Sequence, residues 1–188
     1  MILAYKGFNP DLSCTSGGNR FQYVLEVWNE EPEANCHKNG FHCAENPLDC
    51  LTYYPNWKAA VYYLVAAAGD VDEDGSDSKI SCTRLRLIKQ LSLEEFVAHS
   101  LNYIWNHPFR ADNRYVCMEK GTASSGFVIV RGKAPKAKGA IGDVLGFIKE
   151  EPGSKKAMEM GIYTVDGTEL RPDVWYDIRG KEWKGEIA

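Results

Sequence analysis

Residues 58–90, KAAVYYLVAAAGDVDEDGSDSKISCTRLRLIKQ, contain two β-prone segments on either side of an acidic loop. The first segment, 58–68, is rich in aromatic and β-branched residues, and the second, 79–90, is its expected partner. Residues 69–78 between them carry the glycine, aspartate and serine that are typical of turns. The stretch therefore predicts an antiparallel β-hairpin, in which Lys58 to Ala68 pairs with Lys79 to Gln90.

Two helices are predicted from their start signals. Asn46 is a suitable N-cap, Pro47 fits the first helical position, and Asp49 is favourable in the first turn. Further along the chain, Ser92 and Glu95 form a capping box ahead of an apolar stripe with helical spacing. These signals predict a short helix after residue 46 and a longer one after residue 92.

The composition changes after Pro108, where glycines become frequent and short β-prone segments alternate with turns. We therefore predict an α+β protein, with a mixed or antiparallel sheet and two helices, followed by a Gly-rich all-β module. The predicted domains are an α+β core over residues 1–110 and the β module over residues 111–188. The strand candidates of that module are Phe127–Val130, Val144–Ile148, Ile162–Val165 and Val174–Ile178.

The charge of the chain restricts the class of partner. The 188 residues carry a formal net charge of −4, whereas a protein that binds duplex DNA usually has a strongly basic face. The lysines in 133–138 and 155–156 are not interleaved with aromatic residues, so no direct nucleic-acid binding is expected. Of the tryptophans, Trp183 beside Lys181 and Lys184 is the one expected to be an exposed anchor.

Sequence signals for membrane insertion or secretion are not found. No apolar run reaches the length of a membrane span, and residues 1–6 lack the basic-then-apolar order of a signal peptide. We therefore expect no membrane association and a cytoplasmic location. The six cysteines are then expected to be reduced thiols rather than disulfides.

Residues 36–54 concentrate groups that act as nucleophile, base or metal ligand. Because zinc binds four nitrogen or sulfur ligands, one hypothesis is a zinc-stabilised binding module. Adjacent residues of a strand point to opposite faces, so each adjacent pair here readily supplies one ligand, which weakens that hypothesis. Another hypothesis is a cysteine nucleophile, since Cys43 ahead of the helix start at Asn46 would have a lowered pKa. The zinc candidates are Cys36, His37, His42, Cys43 and Cys50.

A further hypothesis is ADP-ribosyl transfer from NAD. Many such enzymes begin with a strand that bears a basic residue beside an aromatic one, and later use a Gly-aromatic segment and a tyrosine around nicotinamide. Residues 5–7 (Tyr-Lys-Gly), 40–42 (Gly-Phe-His) and 53–54 (Tyr-Tyr) occur in that order. The predicted catalytic residues are Lys6, His42 and Tyr54, and no resident metal or cofactor is expected.

Short segments along the whole chain carry a family resemblance. They are Ala4–Asn9, Phe21–Tyr23, Cys36, Gly40–His42, Glu45–Asp49, Tyr53–Tyr54, Lys79–Ile80, Leu91–Glu95, Ala137–Gly142, Val165–Gly167 and Pro172–Tyr176. Together they resemble an uncharacterised domain family that is common in bacteriophages and prophages. The resemblance implies an origin in a mobile genetic element and a site of action in a bacterial host cell, but no established activity. With no convincing catalytic set, we expect a phage or prophage accessory protein that binds a bacterial host protein, for example to inhibit a defence system such as CRISPR–Cas.

Overall fold

The computed structural model of the protein describes residues 1–16, 19–35, 38–73, 78–110 and 113–185. The chain divides into two compact units, Met1–Leu91 and Ser92–Ala188. This division falls ahead of the helix that follows Ser92, whereas the domain boundary predicted from sequence follows that helix, after residue 110.

The first unit is built around a closed β-barrel. Its elements are β1 (Ile2–Phe8), β2 (Ser13–Ser16), β3 (Asn19–Gln22), β4 (Asn29–Glu30), β5 (Phe41–Ala44), a 3-10 helix (Pro47–Thr52), β6 (Val61–Glu73) and β7 (Lys79–Gln90). Four of the strands follow the order β7-β5-β1-β6, and β6 also pairs with β7, which closes the barrel. β4 pairs with β7, and β2 pairs with β3 in a separate hairpin.

The predicted hairpin is confirmed as the antiparallel pair of β6 and β7. β6 continues to Glu73, beyond its predicted end, and residues 74–77 of the acidic loop lie outside the described residues. In β7, Leu85 and Leu87 are buried, and the arginines on either side of Leu85 are exposed. This period-two alternation is what a strand with one buried face requires.

Alternate residues of β1 point into the barrel. Ala4 and Phe8 are fully buried, and Lys6 between them is 7% exposed. Because side chains on a strand alternate between the two faces, these three share the inner face. They lie among the buried core residues Cys14, Tyr23, Phe41, Cys43, Tyr63, Val65, Ala67, Ile80, Cys82, Leu85 and Leu87. A lysine therefore occupies a core position of the barrel.

Both predicted helix starts are confirmed. The side chain of Asn46 accepts a hydrogen bond from the Leu48 N–H at 3.1 Å, at the start of the 3-10 helix. The Ser92 hydroxyl accepts from the Glu95 N–H at 3.2 Å, and the Glu95 carboxylate accepts from the Ser92 N–H at 3.0 Å. This capping box begins α1 (Leu93–Asn106).

The second unit consists of α1 and a mixed sheet. Its strands are β8 (Val116–Thr122), β9 (Phe127–Lys138), β10 (Val144–Glu150), β11 (Ala157–Thr164) and β12 (Tyr176–Asp177). The order is β11-β10-β9-β12, with β8 also paired to β9. β9 is parallel to β8 and β10 and antiparallel to β12. α1 packs closely on β10, where a Cβ at Gly146 would meet Cγ1 of Val97 at 2.9 Å.

The predicted α+β class is wrong, because the protein is mostly β: far more of the described residues lie in strands than in helices, and the first unit is a closed four-stranded barrel. The cap signals located both helices, but within the described residues these helices are short, at 6 and 14 residues. The sheet of the first unit is closed and not open, since β7 pairs with β5 along one edge and with β6 along the other. α1, which the sequence prediction assigned to the first domain, packs on the sheet of the second unit.

No helix within the described residues is long and apolar enough to cross a membrane. The longest of these helices, α1, has 14 residues, whereas a membrane span needs about 20.

Candidate functional site: a pocket at the seam of the barrel

The barrel has a weak seam between β1 and β5. The pairing of β1 with β6 covers the whole of β1, whereas the pairing of β1 with β5 has one registered pair, Tyr5 with Ala44. One residue beyond that pair, Nζ of Lys6 donates a hydrogen bond to the backbone carbonyl of His42 at 2.5 Å. In a continuous β1–β5 ladder a backbone N–H of β1 would donate to the His42 carbonyl. At this seam the Lys6 side chain donates to it instead.

A pocket of about 330 Å³ lies at this seam. The structure brings together all three residues that the sequence predicted as catalytic, since Lys6, His42 and Tyr54 all line the pocket. They reach it from β1, from β5 and from the segment that follows the 3-10 helix. Further lining residues are Tyr5, Cys14, Tyr23, Cys43, Cys50 and Tyr53.

Lys6 is the buried cation of this pocket. Its ammonium lies 5.5 Å from the ring centroid of Phe8 and 5.5 Å from that of Tyr23. Within the described residues, no carboxylate forms an ion pair with it. Aromatic faces and one backbone carbonyl therefore hold the charge of Lys6, and a buried charge is costly when it lacks an opposite charge.

His42 meets Lys6 through its backbone. Its neighbours on β5, Phe41 and Cys43, belong to the barrel core, so the imidazole points to the opposite face of the strand. The ring is half-buried, and its Nε2 atom is buried. The structure therefore bonds the Lys6 ammonium to the carbonyl of His42, not to its imidazole.

Tyr54 packs over the backbone of Gly7. A Cβ at Gly7 would approach Cδ2 of Tyr54 to 2.7 Å, so a side chain larger than hydrogen would displace the tyrosine ring. The backbone carbonyl of Tyr54 accepts a hydrogen bond from the Tyr62 hydroxyl, which fixes this segment against β6. Desolvation, with smaller effects of Cys14 and Cys50, raises the pKa of Tyr54 to about 12. Its hydroxyl therefore keeps its proton at neutral pH.

Two thiols of the pocket, those of Cys43 and Cys50, are protonated at neutral pH. The hydrogen bond with Cys82 and complete burial raise the pKa of Cys43 well above its ordinary value. Desolvation raises the pKa of Cys50 to about 12, although Lys6 opposes the shift. The predicted lowering of the Cys43 pKa is therefore wrong, because its side chain lies in the barrel core and not at the helix N-terminus.

The structure describes part of the predicted zinc cluster. Cys36 and His37 lie outside the described residues. Among the residues that are described, no group of three or more His, Cys, Asp or Glu side chains is placed to hold a metal ion. The zinc-stabilised module therefore stays a prediction.

The rim of the pocket was not predicted from the sequence. Lys79 of β7 lies with its ammonium 5.7 Å from the centroid of the Tyr53 ring and donates to the Tyr53 hydroxyl at 3.3 Å. Asp49 also lines the pocket, and its Oδ2 accepts from the Ser78 hydroxyl at 2.6 Å. For Lys6 the sequence did contain a signal of a functional role, because a lysine stands at an inward position of an otherwise apolar strand. No comparable sequence signal joins Lys79 to Tyr53.

The fold and the pocket define the first unit as a closed four-stranded β-barrel with a cationic, tyrosine-lined pocket at one seam. The chain belongs to the family described as domain of unknown function (DUF7666), whose model matches residues 2–99. No curated protein and no solved structure matches the chain.

The family match covers the first unit and the beginning of α1. The predicted membership of an uncharacterised domain family is confirmed over this part of the chain, and the resembling segments from Ala4 to Glu95 lie within it, whereas the phage or prophage association of the family stays a prediction. The segments from Ala137 onward lie outside the match. The family description carries no activity, so the pocket itself is the basis for a functional proposal.

Proposed function

We propose that the first unit binds a small anionic ligand that carries a ring, and that nucleotides are its ligand class. The observation that carries this proposal is the buried ammonium of Lys6 inside a ligand-sized pocket. A buried charge without an opposite charge costs free energy, so an anion that enters the pocket gains a partner already in place.

The other ionisable groups leave the pocket positive. Cys43 and Cys50 have raised pKa values and carry no charge at neutral pH. Asp49 is held by Ser78, whose hydroxyl and N–H donate to its Oδ2 at 2.6 and 3.3 Å. Lys79 adds a second ammonium at the rim. These groups favour a ligand with a phosphate or carboxylate over a neutral or cationic one.

The walls of the pocket suit a ring. Tyr5, Tyr23 and Tyr54 line it and offer aromatic faces for stacking. Burial raises the pKa of Tyr5 as well as that of Tyr54, so both hydroxyls remain hydrogen-bond donors. A volume of about 330 Å³ lies at the small end of the range of about 300–1,000 Å³ for ligand pockets. A mononucleotide, or the nicotinamide half of NAD, is the matching size.

NAD is the first ligand to test, because Lys6, His42 and Tyr54 all line one pocket. ADP-ribosyl transfer would further need a carboxylate beside the ribose. Among the described residues that line the pocket, Asp49 has the one carboxylate, and this carboxylate already accepts a hydrogen bond from the Ser78 hydroxyl. We therefore propose binding, and the release of nicotinamide from bound NAD is the measurement that would extend the proposal to an enzyme.

The proposal is tested by thermal shift and calorimetric titration with NAD, adenosine monophosphate, inorganic phosphate and nicotinamide. A ligand that binds the native state adds about 2.7 kcal/mol of stability when its free concentration is 100 times the Kd, and Tm rises as a result. We expect the nucleotides to raise Tm of the wild type, and Lys6→Met to abolish that shift. Lys58→Met removes an exposed lysine outside the pocket and is the matched control. Equal shifts in wild type and Lys6→Met, or no shift with any ligand at millimolar concentration, would refute the proposal.

A second candidate function is binding of a bacterial host protein, with a phage or prophage origin of the chain. The observation that favours it is the loop ahead of β4, where Val24, Leu25 and Val27 are 55%, 46% and 48% exposed. Adjacent exposed apolar side chains of this kind are typical of protein-binding surfaces.

The buried side chain of Asn29 fixes the backbone of this loop through hydrogen bonds. Asn29 is buried, its Oδ1 accepts from the Val24 N–H at 2.9 Å, and its Nδ2 donates to the carbonyls of Val24 and Leu85 at 3.1 and 3.2 Å. Glu26 within the loop has a positive φ of 64°. A preorganised loop loses little conformational entropy on binding, which favours a docking role.

The docking candidate is tested with a triple variant, Val24→Ser, Leu25→Ser and Val27→Ser, in pull-downs from bacterial lysate. A specific partner should be retained by wild type and by Lys6→Met but lost by the triple variant. For the defence-inhibitor form, expression of the wild type should raise plating of a phage that the host's CRISPR–Cas system targets, and the triple variant should not. A partner or a plating effect that is the same in wild type and triple variant would contradict docking through this loop.

A further inference from the structure

Three lysines share the solvent face of β8 and β9 in the second unit. The register places Lys120 opposite Lys136, and Lys138 lies two residues further along β9. Ala137 between these two lysines is fully buried, so Lys136 and Lys138 point away from the core. Like charges at facing positions of neighbouring strands are unfavourable. This arrangement therefore needs a compensating interaction.

Two tryptophans supply that interaction. Tyr176 of β12 pairs with Ala137 and is buried, so the preceding residue, Trp175, lies on the same face as the lysines. The ring centroid of Trp175 is 4.5 Å from Nζ of Lys120 and 5.5 Å from Nζ of Lys138. The backbone N–H of Trp183 donates to the Trp175 carbonyl, and the Trp183 ring lies 3.9 Å from Nζ of Lys136. Both indoles are half-buried.

The carboxylates nearby have other partners. Asp177 lies opposite Lys136, but its Oδ1 accepts from the N–H groups of Arg179 and Lys181 at 2.9 and 3.0 Å. Glu182 forms an ion pair with Arg171 at 2.7 Å. Within the described residues, no carboxylate forms an ion pair with Lys120, Lys136 or Lys138. The face therefore keeps its positive charge.

We propose that this lysine–tryptophan surface, made of Lys120, Lys136, Lys138, Trp175 and Trp183, binds single-stranded nucleic acid. The ammonium groups match the phosphates of a flexible strand, and the indoles offer faces on which unpaired bases stack. A duplex does not fit as well, because its bases are already stacked and the chain carries a net charge of −4.

This proposal revises an expectation from the sequence. The sequence predicts no nucleic-acid binding by the basic segment 133–138, because no aromatic residues are interleaved with its lysines. The pairing of β12 with β9 brings Trp175 beside those lysines from a distant part of the chain. The site lies wholly in the second unit and does not depend on the function proposed for the barrel.

The test measures binding of the full chain to a fluorescent oligothymidylate of about 15 nucleotides, a length within the usual site sizes. The comparisons are an abasic strand of the same length, the matching duplex and oligouridylate. We expect both single strands to bind more tightly than the abasic strand and the duplex. With three phosphates contacted, the slope of log K against log salt should be about −2.

Variants locate the site. Trp175→Leu should weaken binding about tenfold, in line with the loss of one stacked base. The double variant Lys136→Gln with Lys138→Gln should weaken binding. It should also reduce the magnitude of the slope of log K against log salt by about 1.4, since two phosphate contacts are lost. Lys156→Gln, in the turn between β10 and β11, is the charge control and should leave the affinity unchanged.

The proposal is overturned by any of three results. No binding at about 50 mM salt would remove it, since electrostatic affinity is strong under that condition. Equal affinity for the abasic strand would show that the indoles do not stack on bases. Equal losses from Lys156→Gln and from the two-lysine variant would show that binding is a property of net charge and not of this surface.

Discussion

The ammonium of Lys6 on β1 donates a hydrogen bond to the backbone carbonyl of His42 on β5 at 2.5 Å. The bond lies next to the single registered pair between these strands, so it joins the barrel wall where the ladder is shortest. It also places a charged group among the rings of Phe8 and Tyr23. One side chain thus contributes to the seam of the barrel and gives the pocket its charge.

Replacement of Lys6 by methionine is expected to raise the free energy of unfolding of the ligand-free protein by about 1 kcal/mol. Methionine fills a similar volume and removes a buried charge, and such replacements are often stabilising. Urea denaturation measures the change. Lys58→Met at an exposed position should remain within about 0.5 kcal/mol of wild type. A loss of stability in Lys6→Met would show that the hydrogen bond to His42 outweighs the cost of burying the ammonium.

Arg131→Met in the second unit is expected to cost about 3–5 kcal/mol, because it leaves the carboxylate of Glu150 buried without its partner. The two side chains are 4% and 8% exposed and form an ion pair, and Arg131 also donates to the carbonyls of Pro108 and Lys155 at 3.1 and 3.2 Å. Chemical denaturation should show that the double variant Arg131→Met with Glu150→Leu is more stable than the single one.

The exposed pair of Arg179 and Glu159 is the control for that experiment. Its atoms are 3.6 Å apart and its side chains are 65% and 37% exposed. Arg179→Met should therefore cost less than about 1 kcal/mol. Equal losses at the buried and the exposed pair would contradict the ranking by burial.

Ser92→Ala is expected to destabilise the second unit by about 1 kcal/mol, because the Glu95 N–H loses its acceptor at the start of α1. Ser92→Asp keeps an acceptor at the N-cap and should retain most of the stability. Helix content by circular dichroism during thermal unfolding measures both variants. A Ser92→Ala variant as stable as wild type would mean that packing of α1 on the sheet makes the cap redundant.

Stability is expected to fall as the pH rises above 9, because the folded state holds the proton of Cys50. Burial raises the pKa of this thiol from about 9 to about 12. Between these values the unfolded chain releases a proton that the folded chain retains, so ionisation favours unfolding. The contribution is complete below pH 9 and decreases by about 1 kcal/mol between pH 9 and pH 10.

The measurement is the slope of the free energy of unfolding against pH in that interval. Cys50→Ser and Cys50→Ala both remove the titrating thiol, so both should have a shallower slope than wild type, whatever their absolute stability. An unchanged slope in both variants would exclude Cys50 as the source of the alkaline sensitivity.

Part of the candidate site could be predicted from sequence. The order of the segments that contain Lys6, His42 and Tyr54 suggested a common site, and the structure places all three around one pocket. Their catalytic roles stay predictions. The environment of Cys43 could not be predicted, because its burial against Cys82 results from the pairing of β5 with β7. The lysine–tryptophan surface was missed for the same reason, since its residues come from three separated segments.

By itself the sequence determined the local features of this protein: the antiparallel β6–β7 hairpin, the N-cap at Asn46 and the capping box at Ser92. These depend on residues a few positions apart or on one turn, so composition and spacing are sufficient to predict them. Only the tertiary structure decided that the first sheet closes, because β7 pairs with β5 along one edge and with β6 along the other. Closure places Lys6 in the core and leaves the pocket beside it, and both depend on contacts between segments that are distant in the chain.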